Sequence, residues 1–220
     1  PRKIIEAIQD FGITNMFGSP ALIDRVGRYG QERGVKLPTL RRVIAAGAPM
    51  PPAVLARFCT MLSPETQVHT GYGATEAMPV SSMGSHEILN HTRYDTDAGK
   101  GVCLGKPVDG MRVSVIPITD SPIPWWDDSL TLPQGEVGEI AVKGPVATRS
   151  YYQQESATRL AKIHEKGQKG FWHRMGDLGS LDEQGRLWFL GRKFHRVITP
   201  SRTHFTIACE GLFNTHPKVF

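Results

Sequence analysis

The chain has 220 residues, of which 40% are hydrophobic, so it is long enough to form one large domain or two modest ones around a buried core. It contains no apolar run of eighteen residues and no secretory-signal layout at its start, so we expect a cytoplasmic protein without a transmembrane segment. Three widely spaced cysteines (Cys59, Cys103 and Cys209) argue against a disulfide framework or a zinc site, and a scattered net charge of +5 argues against a nucleic-acid partner.

The first part of the chain alternates between helix and strand patterns. Ile4, Ile5 and Ile8 recur at helical spacing before Gly12. The segments GITNMF, LRRVIAA and TQVHTGY are short apolar strands, and a helix that begins at Ser19 or Pro20 and a helix PPAVLARFCTML lie between them. The pattern predicts part of a doubly wound, parallel α/β subdomain over residues 1–91.

The pattern changes after residue 91. Short alternating segments such as MRVSVIPI, GEIAVKG and RLWFLG are separated by glycines and turn clusters, which predicts an antiparallel, distorted β-barrel subdomain over residues 92–190. Trp125 and Trp126 lie in an irregular insertion and are expected to pack rather than to bind. Residues 191–220 become basic and lose the strand pattern, so we interpret them as a hinge and the incomplete start of a C-terminal domain.

The stretch GYGATEA is the first candidate site. It follows a predicted strand, and ligands of open α/β sheets bind beyond the carboxyl ends of strands. Gly71 and Gly73 allow close backbone approach, Tyr72 can stack on a flat base, Thr75 can donate to a phosphate oxygen, and Glu76 can hold Mg²⁺. The alternative is a glycine turn into a helix that has Thr75 as its N-cap.

Two further segments could contribute to the same cleft. Gly47, Ala48 and Pro49 also follow an apolar strand and precede a helix. Asp177 precedes a strand, and a carboxylate there could accept both hydroxyls of a ribose. Arg192 lies across a hairpin whose turn is DEQG, so it can reach the same side as Asp177. A structural Asp–Arg pair in a hairpin is the alternative.

Three segments together resemble the adenylate-forming enzymes, which include acyl-CoA synthetases, peptide-synthetase adenylation domains and luciferases. GYGATEA resembles the YGxTE motif of that family. GEVGEIAVKGPVATRSYY and FWHRMGDLGSLDEQGRLWFLGR resemble two further family segments, and all three occur in the family's order. The resemblance covers essentially the whole chain.

The resemblance implies a reaction and a set of site residues. A carboxylic acid would attack the α-phosphate of ATP to give an acyl-adenylate and pyrophosphate, with Mg²⁺ as cofactor. Gly47, Ala48 and Pro49 would border adenine and the acyl group, and Tyr72 would stack on adenine between Gly71 and Gly73. Thr75 would contact the α-phosphate, Glu76 would bind Mg²⁺, and Asp177 would hold the ribose with the help of Arg192.

Other family features are not found in these residues. The phosphate-binding loop that ends in PKG would precede Pro1, and the catalytic lysine of the C-terminal domain would follow Phe220, so we expect an internal part of a longer enzyme that does not catalyse alone. Met175 replaces the usual threonine before Gly-Asp, and Phe194 occupies the usual hinge position. TPSRTHF replaces the glycine-containing loop that lines the pantetheine tunnel, which speaks against CoA as a cofactor.

The segments GRKFHRV and FNTHP resemble one branch of the family, the β-lactone synthetases of bacterial long-chain olefin biosynthesis. That branch implies adenylation of a long-chain β-hydroxy acid, followed by attack of its own hydroxyl, and a possible assembly with other enzymes of the pathway. One alternative is a long-chain fatty acyl-CoA ligase. An alternative from another class is a noncatalytic module that binds a nucleotide or an acyl group.

Overall fold

The computed structural model describes residues 1–167 and 169–219. Within it the chain divides into two compact units. The first unit comprises residues 1–72 and 82–93, and the second comprises residues 73–81 and the chain from Tyr94 onward. The predicted boundaries of the three subdomains, at residues 91 and 190, stay predictions. None of the described helices is both long enough and apolar enough to span a bilayer.

The first unit contains a three-stranded parallel sheet and its helices. In chain order the elements are α1 (Arg2–Asp10), β1 (Asn15–Gly18), α2 (Pro20–Glu32), β2 (Arg42–Ala46), α3 (Pro52–Cys59) and β3 (Val68–Ala74). The strands pair in the order β1-β2-β3, with Phe17 opposite Ile44 and Ile44 opposite His69. The first unit also includes the last part of β4 (Ala77–Gly84), α4 (Ser85–Glu87) and a π-helical turn over Ile88–Thr92. The predicted parallel α/β region is confirmed.

Local signals explain where α2 begins and which sheet face is buried. The side chain of Ser19 accepts a hydrogen bond from the Leu22 amide at 3.3 Å, and Pro20 occupies the first helical position, where its missing N–H costs nothing. Strand residues alternate between faces, so Val43 is fully buried while Phe17 and Ile44 are 69% and 44% exposed. Within the described residues, one face of this sheet is therefore open to solvent.

The second unit is built around antiparallel strands. Its helices are α5 (Arg93–Asp97), α6 (Glu155–Ala161) and α7 (Thr206–Phe213), and its strands are β5 (Val102–Pro107), β6 (Arg112–Ile116), β7 (Gly138–Lys143), β8 (Lys162–His164), β9 (Phe171–Leu181), β10 (Leu187–Arg192), β11 (Val197–Ile198) and β12 (Thr203–His204). The main strands pair in the order β5-β10-β9-β7-β6, with β8 on the free part of β9. Each of these pairs is antiparallel, which confirms the predicted strand orientation.

The predicted barrel closure is not found in the described part of the chain. The strand order ends at β6, which pairs with β7 on one side, so the sheet is open. Closing a barrel requires a last strand that pairs with the first, and short segments give no information about that pairing. The predicted hairpin is present, because β9 and β10 pair across a turn in which the side chain of Asp182 accepts hydrogen bonds from the amides of Gln184 and Arg186.

A hydrophobic cluster and a buried ion pair stabilise the second unit. Trp126 stacks on the buried Trp172 with ring centroids 4.1 Å apart, which confirms a packing role for this tryptophan. Trp125 is about half exposed and contacts His164 edge-on. The guanidinium of Arg174 pairs with Glu139 and donates to backbone carbonyls, so this buried charge pair is hydrogen-bonded on several sides.

The predicted hinge region is held by contacts within the second unit. A 3-10 turn over Lys193–His195 follows β10. Lys193 donates to the carbonyl of Thr119 at 3.1 Å, and Arg196 pairs with Asp120 at 3.0 Å. α7 contacts β10 and β5. The contacts of Lys193 and Arg196 connect the residues after β10 to the segment that follows β6.

The entry into β5 generates a stability prediction. Gly101 has φ +100°, and a Cβ there would lie 2.5 Å from the carbonyl oxygen of Phe189. Gly135 has φ +83°, with no atom within 4 Å of the added Cβ. We expect Gly135→Ala to lower the free energy of unfolding by about 1 kcal/mol, and Gly101→Ala by about 2 to 4 kcal/mol because a backbone clash adds to the left-handed strain. Urea denaturation of both variants measures this difference, and equal losses would contradict it.

Candidate active site

The first unit places two predicted segments at neighbouring strand ends. Gly47, Ala48 and Pro49 follow β2 and are exposed, while Gly71 and Tyr72 lie near the end of β3 and are partly exposed. Ala46 pairs with Gly71, so the two segments leave adjacent parallel strands on the same edge. Gly47 has φ +96°, which a residue with a side chain rarely adopts. The carboxyl edge of this sheet therefore carries both segments, as predicted.

In the second unit, Thr75 and Glu76 form the turn between β3 and β4, and Gly73 lies near the end of β3. Thr75 is exposed and Glu76 is partly buried. A strand, β4, follows the turn directly, so the alternative in which Thr75 caps a helix is wrong. A Cβ on Gly73 would lie 2.5 Å from the carbonyl oxygen of Ala77, so only glycine fits this tight turn.

Glu76 is held by a segment that follows β7. The hydroxyl of Tyr151 donates to the Glu76 Oε1 atom at 2.9 Å. The amide of Thr148 donates to the backbone carbonyl of Glu76 at 2.7 Å. The amide of Tyr151 in turn donates to the hydroxyl of Thr158 in α6, at 3.0 Å. Residues 148–151 thus orient both the backbone and the side chain of Glu76.

A buried lysine and histidine lie behind this segment. Lys162 in β8 pairs in register with His173 in β9, and both side chains are buried. The Lys162 ammonium contacts the Nδ1 atom of His173 at 3.0 Å and also donates to the carbonyl oxygen of Thr148. Hydrogen bonds therefore link His173 to Lys162, Lys162 to the Thr148 carbonyl, and the Thr148 amide to the backbone of Glu76.

The buried groups shift one another's pKa values. Burial raises the pKa of Tyr151 to about 12, and the adjacent Glu76 adds to that effect. Burial lowers the pKa of Lys162 to about 8, against the attraction of Glu76. Burial and the Lys162 charge lower the pKa of His173 to about 4, so its imidazole is neutral at pH 7.

The carboxyl of Glu76 is ionised at neutral pH. Burial alone would raise its pKa, but the Tyr151 hydroxyl, a backbone donor, His173 and Lys162 outweigh burial, so the pKa lies below its usual value. An ionised carboxylate on a tight glycine turn has the chemistry that Mg²⁺ uses when it binds through one or two carboxylates and substrate phosphates. Within the described residues, no group of three or more acidic, histidine or cysteine side chains is arranged to hold a metal.

Asp177 and Arg192 occupy paired positions of β9 and β10. The Asp177 carboxylate is buried, and its Oδ1 atom lies 3.0 Å from Nη1 of the half-exposed Arg192. The two side chains meet as predicted, although Asp177 lies inside β9 and not before a strand. An ion pair of this kind is compatible with both a structural role and a ribose-binding role. Binding of a ribose by Asp177 stays a prediction.

Sequence reasoning missed three residues of this site. Tyr151 belongs to the GEVGEIAVKGPVATRSYY segment, where the resemblance marked the tyrosine pair but gave it no role. Lys162 lies in none of the matched segments, and His173 lies in FWHRMGDLGSLDEQGRLWFLGR, where the resemblance gave it no role. Their proximity depends on the register between β8 and β9, which the sequence does not reveal.

The comparisons with known proteins agree with this architecture. The sequence model of the family described as "AMP-binding enzyme" matches residues 1–152. The chain belongs to this family, which confirms the predicted adenylate-forming resemblance.

Individual relatives are similar over the whole of the chain. An olefin beta-lactone synthetase of Xanthomonas campestris pv. campestris is 45% identical over 100% of this chain and 39% of its own length. A long-chain-fatty-acid–CoA ligase of Thermus thermophilus is 30% identical over 100% of this chain and 38% of its own length. The solved amide bond synthetase McbA of Marinactinospora thermotolerans superposes with a TM-score of 0.79 at 25% identity, covering 100% of this chain and 40% of that protein. The chain thus spans about two-fifths of these proteins.

The low pKa of His173 makes stability depend on pH. The folded protein resists protonation of His173 until pH falls to about 4, whereas the unfolded chain takes up the proton near pH 6.5, so stability is lost as pH falls through this window. We expect the parent protein to lose about 2 kcal/mol more than His173→Asn between pH 7 and pH 4.5, because asparagine does not titrate. Urea denaturation at the two pH values measures this, and parallel losses would contradict it.

Proposed function

We propose that this chain is the central part of an enzyme that activates a carboxylic acid by adenylation. The observation that carries the proposal is the ionised Glu76, held by Tyr151 on a glycine turn at the end of a strand. The acid's oxygen would attack the α-phosphorus of ATP, and pyrophosphate would leave. Such a reaction depends on positioning and on neutralisation of phosphate charge, and it needs no covalent nucleophile from the protein.

The residues of the first unit suit the flat and apolar parts of the substrates. We assign Tyr72 to stacking on adenine, with Gly71 allowing the backbone to approach. Gly47, Ala48 and Pro49 would border the adenine and the acyl group. Their support is their common position at the carboxyl edge of β2 and β3, together with the family membership.

The residues of the second unit suit the phosphate and the ribose. Thr75, which is exposed, would donate to an α-phosphate oxygen, and Gly73 would keep the turn tight enough to present it. Asp177 would accept both ribose hydroxyls, because two carboxylate oxygens match two vicinal donors. Arg192, 3.0 Å from Asp177, would orient that carboxylate.

The chemistry of Glu76 fits a magnesium ion bound with ATP. Mg²⁺ commonly uses one or two carboxylates and takes its other ligands from phosphates and water. A bound ion would supply neutralisation of the phosphate charge. Tyr151 would orient the carboxylate by donating to one of its oxygens.

We further propose that the acid is a long-chain β-hydroxy acid and that the product is a β-lactone. The β-hydroxyl oxygen would attack the acyl carbon, a C–O bond would form, and AMP would leave while the hydroxyl loses its proton. Intramolecular attack has an effective molarity on the order of 10⁵ M or more when well oriented, so no thiol acceptor is needed. Support comes from the 45% identity to a protein named olefin beta-lactone synthetase.

Glu76→Gln tests the adenylation step. The substitution keeps the size of the side chain and removes its charge, so we expect the adenylation rate to fall by about 100-fold or more, as loss of several kcal/mol of charge stabilisation implies. Stability should change by less than about 1 kcal/mol, because Glu76 is only partly buried. The measurements are ATP–pyrophosphate exchange with the full-length enzyme that contains this chain, and urea denaturation.

Calorimetric titration with ATP and Mg²⁺ provides the control. The variant should bind the nucleotide with Mg²⁺ more weakly than the parent enzyme does. Equal proportional losses of activity and stability would indicate that Glu76 has a structural role, and unchanged exchange would contradict the proposal.

The identity of the product tests the second step. Full-length enzyme given a long-chain β-hydroxy acid, ATP and Mg²⁺ should release the β-lactone and AMP, and added CoA should not change the product. Mass spectrometry of the extracted lipids detects both species. Acyl-CoA without lactone would favour a fatty acyl-CoA ligase, the activity named for the Thermus thermophilus relative.

A further inference from the structure

The ammonium of Lys162 is the buried cation behind Glu76. The Lys162 side chain is 1% exposed. Its nitrogen is bonded to the carbonyl of Thr148 and to Nδ1 of His173, and it also faces the rings of Phe171 and Tyr151 at 5.2 and 6.0 Å. A buried ammonium needs such partners, since its desolvation costs several kcal/mol.

Glu76 is a negative charge that attracts this ammonium. The Glu76 charge raises the pKa of Lys162, so the two groups interact electrostatically. Within the described residues, however, the ion pairs do not include one between Lys162 and Glu76, and the Glu76 side chain accepts its hydrogen bond from the neutral hydroxyl of Tyr151. The carboxylate thus accepts from a neutral hydroxyl, and the Lys162 nitrogen lies 6.0 Å from the centre of the tyrosine ring that carries this hydroxyl.

We propose that His173 is a positioning residue that keeps the Lys162 ammonium away from Glu76, so that the Glu76 carboxylate stays available to a divalent cation. The inference rests on the proposed role of Glu76 in binding Mg²⁺. A neutral imidazole whose Nδ1 atom faces an ammonium accepts a hydrogen bond from it. Together with the Thr148 carbonyl, this acceptor satisfies the ammonium without the carboxylate.

Loss of the histidine acceptor has a defined consequence. An ammonium that has lost one buried partner turns to the strongest remaining acceptor, which here is the Glu76 carboxylate, because charged acceptors form stronger hydrogen bonds than carbonyls do. A carboxylate paired with an ammonium binds a metal ion less well, since the two cations compete for the same oxygens. Removing a group that orients a metal ligand without touching the metal typically lowers metal affinity by about 10- to 100-fold.

Two substitutions of His173 separate the hydrogen bond from packing. His173→Leu removes the acceptor, whereas the side-chain oxygen of His173→Asn can take the place of Nδ1. We expect His173→Leu to raise the dissociation constant of Mn²⁺ by about 10-fold or more, and His173→Asn to change it by less than about threefold. The measurement is electron paramagnetic resonance of Mn²⁺ bound to full-length enzyme with α,β-methylene-ATP, with enzyme in excess over nucleotide.

Removal of the ammonium provides the decisive control. In the double variant Lys162→Met with His173→Leu, no cation competes for Glu76, so Mn²⁺ affinity should return to within about threefold of the parent value. Lys162→Met alone should bind Mn²⁺ at least as tightly as the parent enzyme, which keeps the test valid if His173→Leu does not fold. An unrestored double variant, a weakened Lys162→Met, or equal effects of the two His173 substitutions would each overturn the inference.

Glu76→Gln serves as the reference in the same assay. If it leaves Mn²⁺ binding unchanged, the proposed metal-binding role of Glu76 is wrong and the inference falls with it. If it weakens binding while His173→Leu does not, the role of Glu76 stands and only the role of His173 is wrong.

Discussion

The site of the second unit depends on the need to satisfy one buried ammonium. β8 is only three residues long, yet its pairing with β9 places Lys162 opposite His173. The Lys162 ammonium then contacts the Thr148 carbonyl, and the amide of Thr148 donates to Glu76. Because a charge removed from water must find partners close at hand, this short strand determines where residues 148–151 lie. The orientation of Glu76 follows from that placement.

Much of the fold could be predicted from the sequence, because its signals are local. Apolar spacing, the Ser19-Pro20 start of α2 and the DEQG turn each specify structure within a few residues, and the structure contains the corresponding helices, parallel strands and hairpin. The predicted barrel is not closed within the described residues. Closure depends on which distant strand, if any, pairs with β6, and local sequence signals do not show this. The helix after Thr75 was a reasonable alternative, but β4 follows instead, since tertiary pairing overrides a local capping signal.

The candidate site divides in the same way. Gly47, Tyr72, Glu76 and Asp177 stand in segments whose roles the resemblance to the family implied. Tyr151, Lys162 and His173 lie in three separate segments, and only strand register and the turn after β7 bring their side chains together. A lysine and a histidine eleven residues apart have no sequence pattern that indicates contact. Motifs therefore identify the residues that would contact the substrate, and the surrounding contacts require coordinates.

The open face of the parallel sheet determines how these residues behave in solution. Phe17 and Ile44 are neighbours on adjacent strands, and they are 69% and 44% exposed. Water in contact with such a surface favours its coverage by any apolar surface of suitable shape. A preparation of this 220-residue chain by itself would self-associate and precipitate as its concentration rises. Protein that covers this face of the sheet would keep the chain in solution.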